Sequence, residues 1–273
     1  MRFRRLHPDF GVEVHDVELL NPTVDEIDEL RAALDEHQLL LFRQGRIPPE
    51  RHVEIVSWFG TPTDDSGDGK RWSVLHNQDR AGSMRLPFHS DFTYTDSPVK
   101  LISLHAIELP PGGASTSYVS GVAGWAMLAP DRQETLAPMV VRHSYRSRLS
   151  HDLPDFVTEH PLRFAHPRTG RPVLFVTEHH AERILELDPE GSARVLAELF
   201  AHLYAAERVY VHRWKLHDLV VWDNLAVQHA RTEEADIADG ARALQRVSVN
   251  DVTYAELIAR ASEQQRHREL QST

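Results

Sequence analysis

The sequence predicts one β-rich domain, two sheets thick, with helices packed on its outer faces. Most segments after Trp72 are short and apolar and end at turn residues, which is typical of strands. Helical spacing is confined to a few segments, and neither an internal repeat nor a low-complexity linker divides the 273 residues. A single all-β domain can reach this length, so we expect one domain over residues 1–273.

The helices are expected where apolar residues recur every three or four positions. The clearest covers residues 23–37, where Thr23 is a suitable N-cap and Glu26 completes a capping box. Further helices are predicted over residues 49–59, 121–137 and 189–206. The charged tail after Tyr254, residues 255–273, is predicted to be a last helix that frays.

The strands are expected in apolar segments that lie between turn signals. They cover residues 39–42, 99–109, 140–145, 173–176, 209–214, 219–222 and 243–252. Residues 77–85 and 149–164 are expected to be loops that cover the functional site, because connecting loops commonly carry specificity.

Composition and charge exclude several classes of function. Thirty basic residues against 41 acidic ones give a net charge of −11, which argues against nucleic-acid binding through a broad cationic face. No apolar run is long enough to span a membrane and no signal peptide is recognised, so a cytoplasmic location is expected. Because the chain has no cysteine, any metal must lie on carboxylates and the 18 histidines.

Two His-x-Asp triplets occur, His7–Asp9 and His89–Asp91, and a triplet alone has little specificity. The first precedes any strong strand and is interpreted as a surface turn. In the second, an extended segment places both side chains on one face. His229, after a buried strand that ends in a polar turn, is the candidate third ligand. Two histidines and one carboxylate leave positions open on an ion, as non-haem Fe(II) oxygenases require.

Spacing alone leaves another interpretation open, in which these are ordinary histidines of the core or surface. Other catalytic motifs are missing from the sequence. It contains no His-Glu-x-x-His, no Gly-x-Ser-x-Gly and no Gly-x-x-x-x-Gly-Lys-Ser/Thr. The sequence therefore favours an open metal centre over a zinc protease, a serine hydrolase or a phosphate-binding loop.

An ordered set of segments is more specific than any triplet. These are Leu39–Arg43, Phe88-His-Ser-Asp91, Glu108-Leu-Pro-Pro-Gly-Gly-Ala-Ser-Thr116, His166-Pro-Arg-Thr-Gly-Arg-Pro172 and Trp222-Asp-Asn224 through His229. From about Gly11 to Asn250 the chain resembles the taurine dioxygenase family of Fe(II)/2-oxoglutarate-dependent oxygenases, which includes enzymes that cleave chlorophenoxyacetates. The resemblance implies a double-stranded β-helix, a jelly-roll or cupin-like barrel with iron in its mouth. Asp223 and Asn224 are candidates for supporting the ligands.

The resemblance also implies 2-oxoglutarate and O₂ as co-substrates. Arg242 matches the arginine that takes the far carboxylate of 2-oxoglutarate, a group that guanidinium can grip with two parallel hydrogen bonds. It lies thirteen residues past His229, which indicates a small insertion around residues 236–240. Thr116 matches the threonine that helps to hold this carboxylate. Ser115 is the alternative, because the preceding glycine pair is displaced by one residue.

The substrate implied is a small molecule that carries a carboxylate, a sulfonate or a similar group. Arg246 shares a strand face with Arg242 and matches the arginine that binds the substrate's anionic head, although a structural salt bridge explains it equally well. The pocket wall implied by the resemblance consists of Arg85, Phe92, Tyr94, Tyr145 and Phe175. Core packing is the alternative for the aromatic residues. Arg85 and Tyr145 depart from the taurine enzymes, so taurine itself is not expected.

The implied reaction is hydroxylation of a C–H bond, with succinate and CO₂ released from 2-oxoglutarate. Cleavage next to a heteroatom and desaturation are open too. Asp91 favours hydroxylation, because halogenating relatives lack this carboxylate. One alternative is a non-oxygenase β-barrel metalloprotein, either a metal-dependent isomerase or a ligand-binding module, and another is a non-catalytic interaction barrel. A homo-oligomer is expected, because members of the family are often dimers or tetramers.

Overall fold

The computed structural model describes residues 1–64, 67–77, 85–146, 153–231 and 240–271, without the side chains of residues 268, 269 and 271. The helices are α1 (Val24–His37), α2 (Pro49–Ser57), α3 (Gly121–Ala126), α4 (Pro130–Leu136), α5 (Pro189–Leu203) and α6 (Tyr254–Gln271). The first eight strands are β1 (Arg2–Arg5), β2 (Val12–His15), β3 (Leu39–Arg43), β4 (Ser73–His76), β5 (Leu86–His89), β6 (Leu101–Glu108), β7 (Ser115–Ser120) and β8 (Val140–Tyr145). The others are β9 (Phe156–Pro161), β10 (Arg163–Ala165), β11 (Pro172–Leu174), β12 (Ala181–Ile184), β13 (Tyr210–Arg213), β14 (Asp218–Asp223), β15 (Val227–Arg231) and β16 (Ala243–Val249).

Two sheets face each other across the main core. The larger has the strand order β1-β2-β3-β14-β6-β16-β4 and the smaller has the order β13-β7-β15-β5. Side chains from both sheets meet between them, among them Leu41, Tyr118, Trp222 and Val227. The predicted two-sheet β architecture with flanking helices is thereby confirmed, although the ladders of the described residues form separate sheets and no closed barrel.

The first helix follows its sequence signals closely. The Thr23 side chain accepts a hydrogen bond from the backbone N–H of Glu26, and the Glu26 carboxylate accepts one from the backbone N–H of Thr23. This capping box satisfies two donors that a helix start leaves without partners. With α2, the helix packs its apolar side chains on the outer face of the larger sheet, which leaves the opposite face of that sheet for the site.

Two predicted segments differ from the structure. The expected helix over residues 121–137 is two short helices, because Pro130 lacks an N–H and can only begin a new helix, α4. The expected loop over residues 149–164 contains strand β9, which pairs with β8 from Tyr145↔Phe156 to Val140↔Pro161. That part of the prediction is wrong, while residues 149–152 lie outside the described residues.

The C-terminal segment is the long helix α6. Its Leu257 and Ala261 are buried in a cluster with Tyr94 and Phe156, so the helix is packed against the domain near its start. Neither α6 nor any other described helix is long and apolar enough to cross a membrane.

Candidate metal centre and co-substrate pocket

The three predicted metal ligands converge between the sheets. The ladder between β15 and β5 places His229 directly opposite His89, and Asp91 follows the end of β5 by two residues. Oδ1 of Asp91 lies 3.2 Å from Nε2 of His89 and 3.7 Å from Nε2 of His229. One ligand atom from each residue lies within 4.8 Å of the others, which is a spacing that one metal ion can bridge.

Backbone and neighbouring groups hold these side chains in place. The amide of the fully buried Asn224 accepts a hydrogen bond from the Asp91 N–H at 3.1 Å and donates to the Asp91 carbonyl at 3.3 Å. Nδ1 of His89 lies 2.8 Å from the Pro87 carbonyl, a contact that suits an Nδ1–H tautomer and leaves Nε2 for a metal. Asp223 lies instead against His166, with 2.9 Å between the carboxylate and Nε2. Of the two candidates for supporting the ligands, Asn224 is therefore the one in contact with them.

The charges of the cluster suit a divalent cation. Burial opposes ionisation of Asp91, but the hydrogen bond from His89 and the charges of Arg246 and His229 outweigh it and hold the pKa of Asp91 well below its usual value. Burial, together with the charge of His89, lowers the pKa of His229 to about 3. The carboxylate is therefore ionised and His229 is neutral at pH 7, which are the forms in which these side chains bind metals.

Arg246 on β16 and Arg242 just before this strand face the same interior. Leu244 packs in the core between the sheets, and alternation gives Arg242 and Arg246 the same direction. Nη2 of Arg246 lies 2.9 Å from Oδ2 of Asp91, so this arginine contacts the oxygen turned away from the two histidines. Arg242 is 4% exposed, and burial lowers its pKa.

Asn77 holds the backbone of Arg242. Its side chain accepts from the Arg242 N–H at 2.9 Å and donates to the Gly240 carbonyl at 2.9 Å, while its own N–H donates to the Arg242 carbonyl at 3.2 Å. Arg242 comes just before the first residue of β16, so these hydrogen bonds fix the backbone one residue beyond the end of the strand.

Thr116 rather than Ser115 points toward the interior. Tyr118 pairs with His229 across β7 and β15, and Thr116 lies two residues from Tyr118 on the same face. The Thr116 hydroxyl accepts a hydrogen bond from Nε1 of Trp214 at 2.9 Å. Ser115 belongs to the other face of β7, so the geometry favours the threonine.

The structure places the residues of the predicted pocket wall in different regions. The ring of Tyr94 is stacked on Tyr145 at 4.7 Å and lies 5.8 Å from Phe92, which directly follows Asp91 and has a φ of 61°. Phe175 is packed in the core, stacked on Phe164 at 4.6 Å. Arg85 is exposed at the start of β5, four residues before His89. Tyr94, Tyr145 and Phe92 thus form an aromatic group beside Asp91, whereas Phe175 lies in the core.

Three residues beside the site were not predicted. His180 lies with its ring 5.9 Å from His89 and its Nδ1 3.0 Å from the hydroxyl of Thr93. Asn77 and His180 come from distant segments with no local signal. Arg231 had one, since it follows His229 by two positions on a strand and so shares its face.

Comparison with known proteins agrees with this geometry. A family model described as "Taurine catabolism dioxygenase TauD, TfdA family" matches residues 2–248. The chain belongs to the TauD/TfdA family. The predicted fold, the enzyme class of 2-oxoglutarate-dependent dioxygenases and the use of Fe(II), 2-oxoglutarate and O₂ are thereby confirmed.

Similar TauD/TfdA proteins cover most of the chain. Pentalenolactone F synthase of Streptomyces avermitilis is 29% identical over 77% of this chain and 81% of its own length. The 2,4-dichlorophenoxyacetate dioxygenase of Cupriavidus pinatubonensis is 27% identical over 90% and 96%. The crystal structure of a taurine dioxygenase from Burkholderia xenovorans superposes with a TM-score of 0.81, at 26% identity, over 91% of this chain and 90% of that one.

Proposed function

We propose that His89, Asp91 and His229 hold Fe(II) in this dioxygenase and that a small anionic organic compound is its substrate. The observation that carries the assignment is the convergence of one ligand atom from each residue within 4.8 Å. Two imidazoles and a carboxylate leave coordination positions for a co-substrate and O₂, whereas a structural zinc site has four protein ligands.

The donor set fits iron in its charge as well as in its number. His229 is neutral and Asp91 is ionised at pH 7, for the reasons given above. Arg246 contacts the second oxygen of Asp91, and Oδ1 is directed at the two histidines. When bound, the iron supplies the oxidising chemistry that couples decarboxylation of 2-oxoglutarate to oxidation of the substrate.

The residues of the chain bind and orient the reactants. Arg242 is proposed to grip the far carboxylate of 2-oxoglutarate, with the Thr116 hydroxyl beside it, since a buried guanidinium is the usual partner of such a group. Asn77 holds the Arg242 backbone through contacts of 2.9 Å and 3.2 Å, which restricts where the guanidinium can lie. Arg242 is 4% exposed, and burial of this kind strengthens a charged contact with the co-substrate.

The substrate is proposed to bind between Arg246 and the aromatic group of Phe92, Tyr94 and Tyr145. An arginine at this depth favours a carboxylate or sulfonate, and the stacked rings favour a flat or apolar body. Two relatives support this class through their names, because dichlorophenoxyacetate is a carboxylate and taurine is a sulfonate. His180 and the tyrosines add polar atoms to the wall, with His180 4.8 Å from Tyr94 between ring centres.

Replacing Arg246 with glutamine is expected to raise KM for an anionic substrate by about tenfold or more, because a charge-assisted contact is lost. A substrate is first found by screening small carboxylates and sulfonates for succinate release. The measurement compares KM for that compound and for its neutral amide in both proteins. A role limited to holding Asp91 would weaken iron binding and raise both KM values equally, and that result would contradict binding of the anion.

The iron and 2-oxoglutarate assignment is tested without oxygen. Fe(II) and then 2-oxoglutarate are added, and the visible charge-transfer band of the chelate is titrated. Wild type is expected to give a saturable band. Arg242→Gln is expected to weaken 2-oxoglutarate binding about 10- to 100-fold, since a hydrogen bond to a charged group contributes about 1.5–3 kcal/mol. Iron binding without any band in the wild type would refute the proposed site.

The expected homo-oligomer and cytoplasmic location stay predictions. The isomerase, binding-module and interaction-barrel alternatives lose their support once the chain is placed in the TauD/TfdA family. Hydroxylation, cleavage next to a heteroatom and desaturation all start from the same arrangement of residues, so the products found in the substrate screen decide among them.

A further inference from the structure

We propose that Arg231 is a second arginine of the co-substrate site, so that the far carboxylate of 2-oxoglutarate is gripped from both sheets. Arg231 approaches from β15 of the smaller sheet, and Arg242 approaches from the start of β16 in the larger sheet. This inference rests on the proposed function and deepens it, because it names what selects the co-substrate.

Alternation along β15 turns the half-buried Arg231 toward the interior. Val227 of β15 packs in the core between the sheets, and His229 belongs to the metal cluster. Arg231 continues this alternation, whereas Gln228 and Ala230 face outward: the Gln228 amide donates to the Val176 carbonyl and Ala230 packs with Phe88. The guanidinium therefore starts from the same face as the metal ligand.

The same register brings Arg231 beside Thr116. The ladder between β15 and β7 ends with Ala230 opposite Ser117, and the same register continued by one residue sets Arg231 opposite Thr116. Arg231 is two residue steps along the strand from His229, which is about 6.8 Å along the backbone. That separation matches a five-carbon diacid that has its 2-oxo-acid end at the metal and its other carboxylate near Thr116.

The electrostatics of Arg231 point in the same direction. Arg231 is half-buried and Arg242 is buried, and the positive charge of Arg242 acts on Arg231. Two arginines held near each other in a partly buried space form a site for an anion, since a carboxylate between them offsets their repulsion.

Two arginines at this end of the site require a ligand with a second carboxylate. A monocarboxylate such as 2-oxobutyrate has the same 2-oxo-acid end but no second carboxylate to place between the arginines, so it gains neither of the two charge-assisted contacts. A site built to bind one polar group of a ligand discriminates strongly against an analogue that lacks this group. We therefore expect this enzyme to separate 2-oxoglutarate from 2-oxobutyrate chiefly through Arg231 and Arg242.

The test compares Arg231→Gln with wild type by anaerobic titration of the Fe(II) protein with each of the two 2-oxo acids. The expected result is a rise of at least about tenfold in Kd for 2-oxoglutarate, little change in Kd for 2-oxobutyrate, and unchanged iron affinity. Arg213→Gln is the matched control, because Arg213 is an exposed arginine on β13, in the same sheet as β15. Arg231→Lys is expected to recover part of the affinity, since it restores the charge without the bidentate geometry.

Other outcomes separate the two proposals. If Arg242→Gln weakens 2-oxoglutarate binding and Arg231→Gln does not, the site stands and the second arginine is refuted. Equal loss of affinity for both 2-oxo acids in Arg231→Gln would indicate a structural role and would also refute it. Should Arg231→Gln unfold, Arg231→Lys alone carries the comparison, and a 2-oxoglutarate Kd equal to that of wild type overturns the inference.

Discussion

Replacing His229 with alanine is expected to abolish the 2-oxoglutarate chelate band and to lower kcat/KM by more than about a hundredfold. Loss of a residue that only supports a metal ligand costs up to about a hundredfold, and loss of a ligand itself should cost more. The physical reason is that only three side chains of the described residues are placed to share one ion, so each supplies a third of the protein's ligands. Iron affinity is measured by anaerobic titration and activity by succinate release.

The control for this variant is His15→Ala. His15 lies on β2 with a half-exposed side chain, 3.5 Å from a carboxylate oxygen of Glu13. Strand β2 belongs to the larger sheet, whereas His229 lies on β15 of the smaller sheet. Its replacement is expected to leave iron binding and activity within about twofold of wild type, as for most exposed positions. Full iron affinity in His229→Ala would show that the metal has other ligands and would contradict the assigned set.

Asp91 offers a graded version of the same experiment. Asp91→Asn keeps the shape and an oxygen but removes the charge that two imidazoles and Arg246 now face. We expect weaker iron binding than wild type but stronger binding than in Asp91→Ala, because an amide oxygen can still coordinate.

Patterns along the chain were sufficient for His89 and Asp91, although Asp91 lies two residues past the end of β5. His89 and Asp91 share an extended segment, and alternation alone predicts that they share a face. Pairing of His229 with His89 is a matter of which strands become neighbours, and no local pattern shows this. The family resemblance supported His229 as the third ligand without predicting this pairing, which the ladder between β15 and β5 shows.

What could not be predicted depends on contacts between distant segments. Asn77 meets Arg242 across 165 residues of chain, and His180 meets Thr93 across 87. Phe175 looks like the other aromatic candidates in sequence, but its neighbours Phe164 and His160 place it in the core. Pairwise packing of this kind has no periodicity, so a single sequence gives no sign of it.

The second large effect is expected on stability, which should fall steeply as the pH is lowered from 6.5 to 4. His52, His105 and His143 are fully buried, and burial lowers their pKa values to about 3, about 4 and about 3. In the unfolded chain they bind protons near pH 6.5. Below that pH the unfolded state therefore holds more protons than the folded state, so stability is present above the unfolded pKa and is lost as pH falls toward the folded values.

His143 permits a direct test, because its contribution can be removed without removing the ring. Neither of its nitrogens has a hydrogen-bond partner among the described residues, and it packs edge-on against Phe175 with 6.0 Å between ring centres. His143→Phe keeps an aromatic ring there and cannot take up a proton. Each such histidine contributes about 1.4 kcal/mol per pH unit within its window, so the variant should lose about 2 kcal/mol less than wild type between pH 6 and pH 4.5.

The measurement is the free energy of unfolding by urea at several pH values. His267→Phe is the control, because it makes the same exchange of histidine for phenylalanine at an exposed position. At pH 7 the His143→Phe variant is expected to be at least as stable as wild type, since a buried polar ring without partners is replaced by an apolar one of similar shape. A pH dependence identical to that of wild type would mean that His143 accepts a proton equally well in the folded and unfolded states. In that case burial would not be what makes this fold sensitive to acid at this position, and the slope would have to come from the remaining groups, His52 and His105 among them.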